Sequence, residues 1–158
     1  MSDLTNEHER RMVVGVDGSE NAKTALRWVL GQARLTDATV EAVTAWQDPA
    51  MSGFSYGWSP MLFDGDSIAT LTEKTLDETI AEVTDHDSGR AVPINTRVVQ
   101  GHPVQALLMA ATGAHLLVLG SRGHGTFAGI LLGSVSQHCV QHAPCPVVVV
   151  PEEQPGRG

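Results

Sequence analysis

The amino-acid sequence predicts an α/β domain in which five parallel strands, in the order 3-2-1-4-5, are covered by helices on both faces. Three observations lead there. Short apolar runs alternate with amphipathic helical patterns along the whole chain. Residues 116–119 (Leu-Leu-Val-Leu) and 147–150 (four valines) are apolar throughout, as strands buried on both faces are. Turn residues follow the first run and a glycine-rich segment follows the fourth. Right-handed crossovers then give a doubly wound sheet whose first and fourth strands are neighbours at a topological switch point. Ligands of such sheets bind beyond the carboxyl ends of those strands, which directs attention to the two turns.

The elements follow in order. Residues 12–16 are a short apolar run ended by Asp17-Gly18-Ser19. Ala22, Ala25, Leu26, Val29, Leu30 and Ala33 then fall at helical spacing, with Ser19 as the expected N-cap and Glu20 favouring the positive end of the helix dipole. The second strand runs through 40–46, with β-branched Thr39, Val40, Val43 and Thr44. Residues 47–65 break every periodicity and carry Tyr56, Trp58 and Phe63, so they read as a long surface loop, either a lid or an anchored connection. Ile68, Leu71, Leu76, Ile80 and Val83 restore a helix, and 93–99 reads as the third strand. Pro103 opens a helix with Val104, Leu107, Leu108 and Ala111 on its buried face. The strand at 115–119 leads into the glycine-rich segment, a short helix is expected over 134–141, and the final strand is Val147–Val150.

Composition bounds the function. A chain of 158 residues suits one domain, expected over 11–151, with a flexible N-terminus at 1–10 and a disordered tail at 152–158. The net charge is −8, and ten Lys and Arg are spread without a basic stripe, which argues against nucleic acid and against anionic membranes. No apolar run approaches a bilayer span, the N-terminus lacks a signal-peptide core, and two cysteines fit a reducing compartment, so a cytoplasmic protein is expected.

Two stretches carry candidate chemistry. Asp17 ends the first strand, and Gly120, Arg122 and Gly123 follow the fourth. Gly133-Ser134 opens the next helix, whose N–H groups and dipole suit an anion, with the Ser134 and Ser136 hydroxyls as further donors. Taken alone, the glycines equally suit a plain turn, and Asp17-Gly18-Ser19 equally suits a helix-capping turn. His138, Cys139, His142 and Cys145 invite a metal reading, but Cys139 continues a core stripe from Val135 and ordinary helix packing explains the group better. His102 and His124 lie near the expected crevice, and a phosphate contact by His124 competes with simple exposure. No G-x4-G-K-(S/T) is present, and no G-x-G-x2-G follows the first strand.

The spacing Gly120-x2-Gly123-x9-Gly133-Ser134 resembles the glycine signature of ATP-binding universal stress proteins. The opening Val14-Gly15-Val16-Asp17-Gly18-Ser19 and the closing Pro144-x-Pro146 before a valine strand are similar to that family as well. The resemblance covers about residues 11–151. It implies an adenine-nucleotide alpha-hydrolase-like fold in a single-domain member without the tandem second copy some members have. It implies that Gly15, Val16 and Asp17 meet adenosine, that Ala45 lies against adenine, and that Leu119 and Gly120 border base and ribose. Arg122 and Gly123 would run along the phosphates, and Gly133, Ser134, Val135 and Ser136 would hold them, with Mg²⁺ accompanying ATP. It further implies a homodimer paired through Val147–Val150. Three functions stay open on the sequence: a nucleotide-dependent regulatory switch read by an unidentified partner, a slow ATPase or phosphotransferase, and an interaction module with a vestigial site. No acidic residue occurs from Gly120 to Pro151, so any Mg²⁺ would rest mainly on phosphate oxygens and water, with a serine hydroxyl as the one further ligand, which weakens the enzyme reading.

Overall fold

A computed structural model describes residues 10–47, 65–85, 89, 91–121 and 133–152. Their order is β1 (Arg11–Gly15), α1 (Glu20–Thr36), β2 (Thr39–Trp46), α2 (Gly65–Asp85), β3 (Ile94–Gln100), α3 (Pro103–Ala111), β4 (Leu116–Gly120), α4 (Ser134–His142) and β5 (Val147–Val150). The strands form one parallel sheet in the order β3-β2-β1-β4-β5, as the alternation of runs predicts. Val13 pairs with Glu41 on one side and Leu117 on the other, so β1 is the central strand. Of the long loop expected over 47–65, residues 48–64 lie outside the described residues and Gly65 already opens α2; the segment from Arg122 to Leu132 and the residues after Glu152 lie outside them as well.

Two core layers follow from the period-two alternation of the strands. Met12, Val14 and Val16 face a layer built with Leu26, Val29 and Leu30 of α1 and Leu76 and Val83 of α2. Val13, Val43, Leu117 and Leu119 face the other, with Leu107, Ala110 and Ala111 of α3 and Cys139 of α4. The helices thus divide two and two between the faces. α1 buries Ala22, Ala25, Leu26, Val29, Leu30 and Ala33, the stripe legible in its sequence. Each fully buried Leu or Val on that stripe contributes about 1.5–3 kcal/mol.

Helix ends are set by local chemistry. The Ser19 hydroxyl accepts from the Ala22 N–H at 3.1 Å, and α1 closes at Asp37, whose left-handed conformation (φ 57°) lets its N–H reach Ala33 O. At α3 the cap is His102, whose Nδ1 accepts from the Val104 N–H at 3.2 Å ahead of Pro103. β3 begins at Ile94 rather than Pro93, since proline has no N–H for the ladder; Val40 N–H instead donates to Pro93 O.

The amino ends of the strands carry a feature that the β-branched pattern of β2 does not announce. Glu41 is 7% exposed, and its Oε2 accepts from Arg11 at 3.0 Å while Arg97 Nε lies 3.1 Å from Oε1. Oε1 is buried without a well-aligned hydrogen bond, so Arg97 acts there mainly as a charge. Arg11 also donates to Ala110 O at 2.8 Å and Thr112 O at 2.9 Å, closing the end of α3. This cluster ties β1, β2, β3 and α3 together at the pole opposite the strand ends considered next.

Candidate functional site

Because β1 and β4 are neighbours, their carboxyl ends deliver two distant stretches of sequence to one place. Gly15, Val16 and Asp17 leave β1 beside Leu119 and Gly120 of β4, and Ala45 near the end of β2 completes that edge. The start of α4 supplies Gly133, Ser134, Val135 and Ser136. Together they line a cleft of about 290 Å³. Ten of the twelve residues singled out from sequence border it, and the other two, Arg122 and Gly123, lie outside the described residues, as does His124.

The cleft has an apolar floor and two polar ends. Val16, Val43, Ala45, Leu107 and Leu119 form the floor. At one end stands Asp17, exposed, with its Oδ1 accepting from the Ser19 N–H at 3.0 Å and from the Ser19 hydroxyl. The aspartate therefore organises the turn that caps α1 and presents a carboxylate to the cleft, so the two readings of Asp17-Gly18-Ser19 are compatible. Gly18 makes that turn at φ 82°, a conformation that favours glycine. At the other end α4 begins at Gly133, in extended conformation and without a side-chain cap. The N–H groups of Ser134, Val135 and Ser136 have no carbonyl four residues back in their own helix, which leaves a positive dipole end on the cleft.

The two serines behave differently. Ser134 is exposed. Ser136 is 4% exposed and its hydroxyl donates to Gly120 O at 2.7 Å, so its proton joins α4 to β4 instead of pointing outward. The glycines differ as well. A Cβ on Gly15 would stand 2.9 Å from Leu119 Cδ2 and 3.1 Å from Leu107 Cδ2, both movable side-chain ends. A Cβ on Gly120 would stand 2.9 Å from Asn21 O and 3.0 Å from Asn21 C, which are backbone. Gly120 is thus required by the close approach of α1 to β4.

Ser19, Ala22, Val43, Pro103 and Leu107 also line the cleft. Sequence periodicity assigned Leu107 to the core and Pro103 to a helix start, and each is that; only the strand order shows that the mouth of α3 faces the same crevice. No lysine or arginine stands among the described lining residues. His138 and His142 are exposed, with His138 Nδ1 2.7 Å from Ser134 O, whereas Cys139 is buried and its thiol is pushed up to about 11 by burial. No group of three potential metal-ligating side chains occurs among the described residues. No helix among them is long and apolar enough to cross a membrane.

The model of the Universal stress protein family matches residues 9–151. A universal stress protein of Mycobacterium tuberculosis is 31% identical over 152 residues, spanning 90% of this chain and 48% of the relative. The chain accordingly spans about half the length of the curated relatives it matches. A solved universal stress protein in complex with cAMP is 28% identical, with a TM-score of 0.62 over 89% of this chain and 95% of that one. The universal stress protein from Archaeoglobus fulgidus in complex with dAMP is 18% identical, with a TM-score of 0.52 over 89% and 96%; at that identity the likeness speaks for the fold.

Proposed function

The chain belongs to the universal stress protein family, and on that premise we propose that it binds an adenine nucleotide, ATP with Mg²⁺, and acts as a nucleotide-dependent regulatory switch. One observation carries the reading: a carboxylate and a helix N-terminus border the same apolar-floored cleft. A flat apolar base suits Val16, Val43, Ala45 and Leu119. A sugar hydroxyl or exocyclic amine suits the Asp17 carboxylate, and phosphate suits the first turn of α4. A related protein binds cAMP, which supports the adenine class. The described lining offers the phosphates backbone N–H groups and the Ser134 hydroxyl but no cationic side chain. Arg122, next in sequence after Ser121, is the residue we assign to the outer phosphates.

Turnover is slow at most in this reading. Asp17 sits at the nucleoside end, and among the described residues no acidic side chain borders the α4 end of the cleft to hold a metal or orient water. Occupancy then favours one conformation, which a partner reads. β5 is an edge strand of four valines, and we assign it the homodimer contact, since pairing covers a strand edge that otherwise invites aggregation. A cytoplasmic location accords with the two free thiols.

The test is to denature freshly purified protein and identify released nucleotide by chromatography. ATP near one per chain supports the switch, and ADP at that level supports the slow hydrolase. Asp17→Ala is expected to weaken adenosine and ATP alike; loss of ATP binding alone would move Asp17 to the phosphates and overturn the assignment of the two ends.

A further inference from the structure

Asn21 does not line the cleft, yet it stands behind its phosphate end. It is 8% exposed in the first turn of α1, and its Nδ2 donates to Ser121 Oγ at 3.1 Å across 100 residues of sequence. Its Oδ1 is buried with no hydrogen-bond partner among the described residues. A buried amide oxygen left unpaired costs free energy that an apolar side chain in the same space would not. Stability alone therefore gives no reason for an amide here, and the one bond it does make is the place to look.

That bond ends on a node. Ser121 is 7% exposed, its N–H donates to Val150 O at 2.9 Å, and its carbonyl accepts from the Gly133 N–H at 2.7 Å. Ser121 and Gly133 are thus clasped to each other at the start of α4. Ser136 adds a second tie one turn further on, through its bond to Gly120 O. The direction in which the first turn of α4 presents its N–H groups depends on where Ser121 stands. Asn21 holds the Ser121 side chain from below, while its own backbone abuts Gly120.

We propose that Asn21 is a positioning residue for the phosphate end of the cleft, acting through Ser121 on the N-terminus of α4. The proposal rests on the reading that the cleft takes an adenine nucleotide. An N–H array contributes fully to anion binding only when its members converge on one point, because hydrogen bonds weaken steeply as they misalign. Releasing Ser121 lets the first turn of α4 shift by a few tenths of an ångström relative to β4. Phosphate contacts suffer from that shift, while the nucleoside end, set by β1, β2 and the body of β4, does not.

The experiment compares dissociation constants for adenosine, AMP and Mg-ATP, by calorimetry, in the wild type, Asn21→Leu, Ser121→Ala and the double variant. Asn21→Leu is chosen because it fills similar space and removes both the bond and the unpaired oxygen. The expected result is about a three- to tenfold weakening of AMP and ATP, the worth of one hydrogen bond, with adenosine changed less than about twofold. Ser121→Ala is expected to do the same, and the double variant to lose no more than the larger single loss, since both act through one bond. A merely structural role would weaken the three ligands in parallel. Parallel weakening, an unchanged ratio of ATP to adenosine affinity, or additive losses in the double variant would each overturn the proposal and leave nucleotide binding standing. A wild type that binds none of the three removes the functional reading and this proposal with it.

Discussion

Two glycines border the same cleft for different reasons, and alanine separates them. Neither has a positive φ, so alanine is conformationally allowed at both and by itself gains about 0.4–1 kcal/mol by restricting the unfolded chain. At Gly120 the new Cβ meets the Asn21 carbonyl at 2.9 and 3.0 Å, inside contact distance and against backbone. The first turn of α1 must move off β4, an overpacking cost of about 1–3 kcal/mol. The net destabilisation is at most about 2.6 kcal/mol, or up to roughly 10 °C in Tm for a chain of this size, and the low end of the packing cost is just offset by the gain. At Gly15 the new Cβ meets only the ends of Leu119 and Leu107, which rotate away at small cost. They rotate into the cleft, however, because both leucines line it. Gly15→Ala is therefore expected to keep its Tm within about 3 °C of the wild type and to weaken nucleotide binding by about fivefold or more, as displaced methyl groups occupy the place of the base. Thermal denaturation and a nucleotide titration on both variants decide the matter. A Gly120→Ala protein more stable than wild type, or a Gly15→Ala protein that loses stability without losing affinity, would overturn this assignment of the two glycines.

Other expectations follow from single sites. Arg11→Ala leaves Glu41 buried with only the half-exposed Arg97 beside it and opens the end of α3, and should cost about 3 kcal/mol in urea unfolding. Cys139 keeps its proton in the folded chain to about 11 while the unfolded thiol ionises near 9.0, so unfolded chains release protons first as pH rises. Stability should thus hold below pH 9 and fall between pH 9 and 11, by up to about 1.4 kcal/mol per pH unit, less steeply in Cys139→Ala. Lys23, raised by Glu82 and then Glu20, adds its own loss only above its ordinary 10.5 and leaves the lower half of that window to the thiols. Gly133→Val, at an extended backbone position any residue adopts, should leave the fold intact and abolish nucleotide binding.

The sheet order was legible because strand burial and helical stripes are local signals. Residues 116–119 announce a buried strand and 147–150 a strand that proves only half-buried at the sheet edge, and Ser19 and Pro103 announce helix starts. The site was legible to the extent that it follows from strand order: once β1 and β4 are neighbours, Asp17 and Gly133 must approach. What escaped the sequence depends on partners far apart in the chain. Nothing in the local pattern of β2 marks Glu41, and only the register with Arg11 and Arg97 makes it a buried tie. Gly120 looked like a ligand-facing glycine, and its need comes from Asn21, about 100 residues earlier. The Ser136 hydroxyl looked available to phosphate, and the carbonyl of Gly120 engages it.

The most direct test of the central claim is a calorimetric titration of Mg-ATP into nucleotide-free protein. A saturable transition at one nucleotide per chain is expected, displaced by AMP and weakened by Asp17→Ala. Flat heats across the millimolar range, from a protein shown to be folded, would contradict it and leave only the family and the fold.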